Sequence, residues 1–373
     1  MKSKYTTIVL LVLSAGSIWA GSFAFGVSAQ TGGTSKPTPT PTPAAANDST
    51  PKPTPTPRID DPTETIHIDT ELVNLNVRVV DHNNRPINNV QENEFKIFED
   101  GVRQEIGFFS RSEVPTNYAL VLDNSGSLRP QLEKVIEAGK IMVNTNGPKD
   151  ETAIIRFIGR DKISIEQPFT PNKADLIDSL DNLFIEGGQT AIRDAVYLAT
   201  QNVEEYAKTS KDQDSKRRAI ILVTDGEDRD SYYNDKQLLD LLRESEVQIF
   251  VVGFIGDLSK EGVFIGKSPQ GKAKAFLDQL ATETGGKTYY PRDVTELPTI
   301  AKDIASELRT QYSIGYIPSN DKHDGTTRTI KISVDDGPNK QKRIAVSRTV
   351  RTAEASGTSA PNLKKPAQSI VKP

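Results

Sequence analysis

The chain contains no cysteine. This excludes disulfides, thiolate metal sites, a thiol nucleophile and the lipid-bearing cysteine of a lipoprotein. Histidine is nearly absent: His67, His82 and His323 are scattered, and none falls between residues 114 and 311. No Ser-His-Asp set or imidazole metal site can be built in that region. No cluster of lysine and arginine appears, and the formal net charge is −4. A phosphate-binding surface needs clustered basic residues, so no nucleic-acid partner is expected.

What is present begins with Met-Lys-Ser-Lys, an apolar run from Thr6 to about Val27, then Val27-Ser28-Ala29. A basic start, an apolar stretch and small residues before a cut site make a secretory signal over residues 1–29, with cleavage expected after Ala29. The run is also long enough to span a bilayer as an uncleaved anchor, the one route to membrane attachment. Either way the chain is expected to be exported. Without disulfides, such a protein must draw its stability from burial or bound metal.

Residues 30–62 are rich in Pro and Thr, with Lys36-Pro37-Thr38-Pro39-Thr40-Pro41-Thr42-Pro43 and a second copy at Pro51–Pro57. Repeated proline fixes φ and removes donors, so this stretch reads as an extended linker that forms no core. It is either a spacer holding the folded part off a surface or an unselected linker.

Residues 63–113 read as a small β module. Leu72, Val73, Leu75, Val77, Val79 and Val80 suggest one strand, and Phe95, Ile97 and Phe98 begin another. Asp100-Gly101 stands between that run and Val102–Phe109, a hairpin signal. From residue 114 to 311 short apolar strands alternate with amphipathic helices. Strands are expected at Tyr118–Leu122, Ala153–Ile158, Ala219–Val223, Val247–Ile255 and Lys287–Tyr290. Helices are expected over Leu132–Val143, from Thr190 to about Tyr206, and around Leu238–Leu242, Ala273–Thr284 and Leu297–Arg309. The pattern implies an α/β fold: a doubly wound, mostly parallel sheet covered on both faces, flanked by a small all-β module.

Alternation returns over residues 312–352, at Tyr312–Ile317, Thr329–Val334 and Arg343–Val350, before a polar tail over 353–373 that reads as disordered. Neither β stretch could bury a full core alone. The two are therefore expected to pair into one sandwich with the α/β domain inserted between them.

The chemistry centres on Asp123-Asn124-Ser125-Gly126-Ser127, at the C-terminal end of the first strand of the sheet, where open α/β sheets bind ligands. One carboxylate and two hydroxyls around a permissive glycine let three oxygens converge. A solvated loop with Ser127 as a helix cap is the plain alternative. Gly187-Gly188-Gln189-Thr190 adds a hydroxyl from a second loop, and Thr224-Asp225-Gly226 adds a carboxylate from a third strand end. Five oxygen side chains, only two of them charged, suit a hard cation such as Mg²⁺, with Mn²⁺ or Ca²⁺ as alternatives.

This Asp-x-Ser-x-Ser, Thr, Asp set resembles the metal-ion-dependent adhesion site of von Willebrand factor A domains, without substitution, over about residues 116–311. The resemblance implies that Ser125, Ser127 and Thr190 bind the metal directly, and Asp123 and Asp225 directly or through water. A Glu or Asp of a protein partner would complete the sphere. In some relatives the last helix of the domain, here near Leu297–Arg309, shifts as the metal site rearranges. The segments Phe95–Gly101 and Arg309–Tyr316 also resemble a bacterial group of exported A-domain-related proteins. The implied function is exported, non-enzymatic binding or adhesion.

Other readings carry less. Phosphoryl-transfer enzymes of similar topology need a second carboxylate two residues after the first, where this chain has Ser125. A metal-dependent hydrolase and a metal-independent scaffold of the cell envelope remain as alternatives. Gly262–Ser268 has the wrong glycine spacing for a phosphate loop and reads as a surface loop. Glu227, Asp228 and Asp230 read as a solvated loop, with Asp230 or Ser231 capping the next helix.

Overall fold

The computed structural model describes residues 72–209, 216–259 and 268–353, all within one structural unit, His67–Pro373. The expected signal segment, the Pro/Thr-rich stretch, His67, residues 262–267 and the tail beyond Ala353 lie outside the described residues. Among the described residues, no helix is long and apolar enough to cross a membrane.

β1 (Val73–Val80) buries Val73, Leu75, Val77 and Val79, the alternation a one-sided sheet requires. β2 (Phe95–Glu99) turns through Asp100 and Gly101, both at positive φ (48° and 81°), into β3 (Val102–Gln104). That conformation is what an Asp-Gly hairpin turn supplies. The run Val102–Phe109, expected as one strand, breaks at Glu105. β3 pairs with β2, whereas β4 (Ile106–Ser110) belongs to the other sheet. The break lets both segments keep an inward face: Gln104 bonds Ser319, and Phe109 packs beside Phe95 and Tyr312.

The α/β domain runs β5 (Thr116–Asp123), α1 (Leu132–Thr145), β6 (Glu151–Phe157), β7 (Ile163–Thr170), α2 (Lys173–Asp181), α3 (Ile192–Ala207) and β8 (Arg217–Thr224). It continues with α4 (Asp235–Glu244), β9 (Gln248–Gly253), α5 (Pro269–Thr284), β10 (Lys287–Tyr289) and α6 (Leu297–Arg309). The sheet order is β10-β9-β8-β5-β6-β7, parallel throughout except for β7 against β6. Alternate residues of β5 feed two cores. Ala119 and Val121 pack under α3, α4 and α5, and Tyr118, Leu120 and Leu122 pack under α1, α2 and α6. Sequence reasoning picked out neither β7 nor α2. β7 is a half-exposed edge strand that tolerates Pro168, and its weak alternation reads poorly beside the buried runs.

The chain then adds β11 (Tyr312–Tyr316), β12 (Thr327–Val334), β13 (Ile344–Val346) and β14 (Val350–Thr352). Two four-stranded sheets result, β13-β1-β11-β4 and β14-β12-β2-β3. Each takes strands from both flanks of the α/β domain, and they share a core of Val73, Leu75, Val77, Val79, Ile97, Ile314, Tyr316 and Ile330. The run Arg343–Val350 also divides, β13 going to one sheet and β14 to the other.

The sandwich meets the α/β domain where helices end. Arg78 of β1 donates to Gly286 O (2.8 Å) just past α5. Arg348 donates to Ser245 O (2.8 Å) just past α4. From within the α/β domain, Arg217 donates to Leu308 O (3.2 Å) and Gln311 O (2.8 Å) at the end of α6. Cationic groups at helix C-termini satisfy free carbonyls and complement the helix dipole. Because helices here run back against their strands, this seam lies at the pole opposite the strand C-termini.

Candidate metal centre

At that opposite pole three loops leave the sheet side by side. β5 ends on Asp123, and Asn124 N donates to Phe157 O (2.9 Å), extending the strand pairing by one step. Ser125 N then donates to Asp123 Oδ1 (2.9 Å), a local turn of the kind aspartate favours. The chain tightens into a 3₁₀ turn, Gly126–Leu128, that brings Ser125 Oγ within 2.9 Å of Ser127 Oγ. Ser125 is buried and Ser127 lies exposed at the mouth. Ser127 is not a helix cap: it sits inside the 3₁₀ turn, and α1 is preceded by Gln131 without a side-chain cap.

The second loop depends on glycine. Gly187 and Gly188 have φ of 85° and 141°, and a Cβ on Gly188 would lie 2.7 Å from Ile158 Cγ2. Gly187 Cα sits 4.0 Å from where a Cβ on Gly126 would be, so the first two loops abut. Thr190 follows, buried, and α3 begins two residues after it rather than at it. Its carbonyl accepts from Arg229 N (2.8 Å) and Asp230 N (3.1 Å) in the third loop.

In that third loop Asp225 follows β8, buried, with its Oδ1 accepting from Glu227 N (2.9 Å). The preceding Thr224 ties the loop to Asp123, donating through Oγ1 to Asp123 Oδ2 (2.7 Å) and accepting from Gly226 N (3.2 Å). In the sequence Thr224 stands out only as part of the strand end. Its hydroxyl beside Asp225 was the available signal. Asn124 makes a comparable tie: Nδ2 donates to Phe184 O (2.6 Å), and Glu186 N donates to Asn124 O (3.4 Å).

Burial pushes the Asp123 carboxyl up to about 6, with the charge of Asp225 adding to the shift, against hydrogen bonds from Ser125 and Thr224. Neither Asp123 nor Asp225 forms an ion pair among the described residues. A buried carboxylate with an acidic neighbour and no counter-charge is costly alone and well suited to a cation. Asn124 Oδ1 is likewise buried without a hydrogen-bond partner. The available donors are all oxygens, and no three acidic, histidine or cysteine side chains gather among the described residues. The set therefore fits a hard divalent cation held largely by hydroxyls.

The neighbouring acids are otherwise engaged. Asp228 pairs with Arg193 (2.9 Å), Asp230 with Arg160 (2.9 Å) and Glu227 with Arg229. The cap of α4 is Asn234, whose side chain accepts from Gln237 N, and not Asp230 or Ser231 as expected. Ser231 instead donates to Asp228 Oδ2 (2.6 Å). His82 lies in a turn after β1 and His323 in the loop before β12, both far along the chain from the three loops.

Comparison with known proteins gives the family. The chain is 37% identical over 115 residues to an uncharacterized protein of Synechocystis, covering 31% of this chain and 26% of that one. It is 25% identical over 234 residues to inter-alpha-trypsin inhibitor heavy chain H4 of Bos taurus, covering 60% of this chain and 24% of that protein. The chain thus spans about a quarter of the length of these curated relatives. Among solved structures, a von Willebrand factor type A protein from Catenulispora acidiphila aligns at a TM-score of 0.43 and 14% identity, over 71% of this chain and 75% of that one. Proximal thread matrix protein 1 of the mussel byssus, solved with zinc in its MIDAS motif, aligns at 0.40 and 18% identity, over 53% and 48%. Residues 117–303, half of the chain, match the model of the von Willebrand factor type A domain, and the chain belongs to that family.

Proposed function

We propose that this is an exported, non-enzymatic binding protein whose metal centre captures an acidic residue of a protein partner. Asp123, Ser125, Ser127, Thr190 and Asp225 would hold the cation, with Mg²⁺ the best match and Mn²⁺ or Ca²⁺ as alternatives. The observation that carries the reading is the buried, uncompensated Asp123 beside Asp225, with the Ser125 and Ser127 hydroxyls 2.9 Å apart at the mouth. When bound, the cation offers an open coordination position to a carboxylate from outside. The residues of this chain do the rest. Thr224 and Ser125 N fix both oxygens of Asp123, and the two glycines set Thr190 against the other loops. Ser127, exposed, stands where a partner would enter. The sandwich holds the opposite pole, so the centre faces away from the seam and from both ends of the described chain.

A random-sequence peptide library panned over the immobilised full chain in Mg²⁺, with elution by EDTA, tests this. The recovered peptides should share an Asp or Glu and fail to bind the Asp123→Ala variant. Equal recovery with EDTA present throughout, or on the variant, would overturn the proposal.

A further inference from the structure

The segment between α2 and α3 that carries Thr190 also carries Phe184, a large apolar side chain left 54% exposed. A single open phenylalanine is ordinary. This one is held from several sides. Its backbone oxygen accepts from Asn124 Nδ2 at 2.6 Å, and Asn124 stands between Asp123 and Ser125 of the first loop. Leu183, next to it, is buried in the core under α1, α2 and α6. The ring lies against Arg156, whose guanidinium carbon is 4.8 Å from the ring centre. Arg156 is fixed in turn by Glu166 (2.9 Å) and Glu186 (3.1 Å). A ring packed in this way has already lost rotamer freedom, so a partner that covers it has little ordering left to impose.

The charges around the ring answer one another. Arg156 is shared by Glu166 and Glu186, and Lys162 also pairs with Glu186. These contacts hold two cations and two carboxylates, so the cluster brings no net charge to the ring. Arg156 already takes the place a cation would seek over an aromatic face, and a second cation would meet its charge. What the ring offers from outside is therefore apolar contact. The other strongly exposed aromatic at this pole, Tyr232, is attached differently. It stands edge-on to Tyr233 (5.3 Å), which packs on the core at the other face of the sheet, and its N donates to Asp194.

We propose that Phe184 sets the specificity of the candidate centre by seating an apolar side chain, aromatic for preference, of the protein partner. That side chain lies within about three residues of the acid that reaches the cation, the reach of extended chain at about 3.3 Å per residue. The inference rests on the binding function proposed above and adds the residue that selects among acidic partners. Carboxylates are common on protein surfaces, so a centre that read the acid alone would discriminate poorly. A fixed aromatic contact beside it supplies the difference in affinity that specificity requires.

The same library, panned in Mg²⁺ over the immobilised full chain and its Phe184→Ala, Phe184→Trp and Tyr232→Ala variants, tests this. Wild-type pools should carry a large apolar residue close to the shared Asp or Glu. Phe184→Ala pools should keep the acid and elution by EDTA but lose the apolar companion. Peptides selected on the wild type should bind Phe184→Ala about tenfold or more weakly, and should bind Phe184→Trp and Tyr232→Ala nearly as well as the wild type. The tie to Asn124 runs through the backbone of Phe184, so calorimetry should find Mg²⁺ binding unchanged in Phe184→Ala. Wild-type pools that share an acid without an apolar companion, or the same companion in Phe184→Ala pools, would overturn this inference and leave the metal-dependent reading standing. So would a loss of Mg²⁺ affinity in Phe184→Ala that accounts for the weaker peptide binding. Wild-type pools that lack the acid or resist EDTA would overturn both.

Discussion

The ion pair between Arg78 and Glu307 joins the sandwich to the last helix of the α/β domain across 229 residues of sequence. The two side chains are 5% and 1% exposed, with Arg78 Nη1 2.9 Å from Glu307 Oε2. The other oxygen of Glu307 accepts from Lys287 Nζ at 3.0 Å. Glu307→Ala would leave two cations at the seam with less than their due. Breaking a buried pair from one side costs roughly 3–5 kcal/mol. Here Arg78 keeps Gly286 O and Lys287 keeps Asp303, so the lower end, about 3 kcal/mol, is the expected loss. The double variant Arg78→Met, Glu307→Leu should recover most of that loss, because an apolar pair of similar volume needs no compensation. Urea unfolding read by circular dichroism gives both numbers. Because the seam is buried, sandwich and α/β domain should unfold in one transition with a single slope. A Glu307→Ala loss under about 1 kcal/mol, or two separate transitions in the wild type, would refute this account of the seam.

Two further outcomes follow from the proposed metal centre. In the metal-free chain Asp123 titrates near 6 against an ordinary value of 3.8, so the folded state holds its proton more tightly than the unfolded state between those values. Stability of the EDTA-treated chain should therefore fall as pH rises from about 4 to about 6 and stay lowered above, by on the order of 3 kcal/mol. Asp123→Asn should remove that fall while losing metal binding, as thermal unfolding at pH 5 and pH 7 would show; an equal pH dependence in the variant would contradict it. Gly188→Ala forces a side chain onto φ 141° and against Ile158. It should cost about 1–3 kcal/mol and weaken metal binding through Thr190, and unchanged metal affinity would count against the placement of that loop.

Much of the fold was legible because its signals are local. The apolar runs of β5, β8 and β9 announce buried strands, and Leu297, Ala301, Ile304 and Leu308 mark one face of α6. Asp123, Ser125, Ser127, Thr190 and Asp225 could be picked out because each sits at a strand end or a glycine-bearing loop. What escaped depends on partners far along the chain. β7 is a strand only because β6 lies beside it, and the splits at Glu105 and after Val346 reflect which sheet each half can reach. The arginines of the seam look like surface charge until the helix ends they cap are in place. Thr224 shows the same limit at the centre, since its use is set by Asp123, 101 residues away.

The most direct test of the central claim is calorimetric titration of the full chain with Mg²⁺ and Mn²⁺, beside Asp123→Ala. The account predicts saturable binding to the wild type that the substitution abolishes while the fold survives. Binding that persists undiminished in the variant, or no binding to the wild type even with an acidic peptide supplied to complete the coordination, would contradict it.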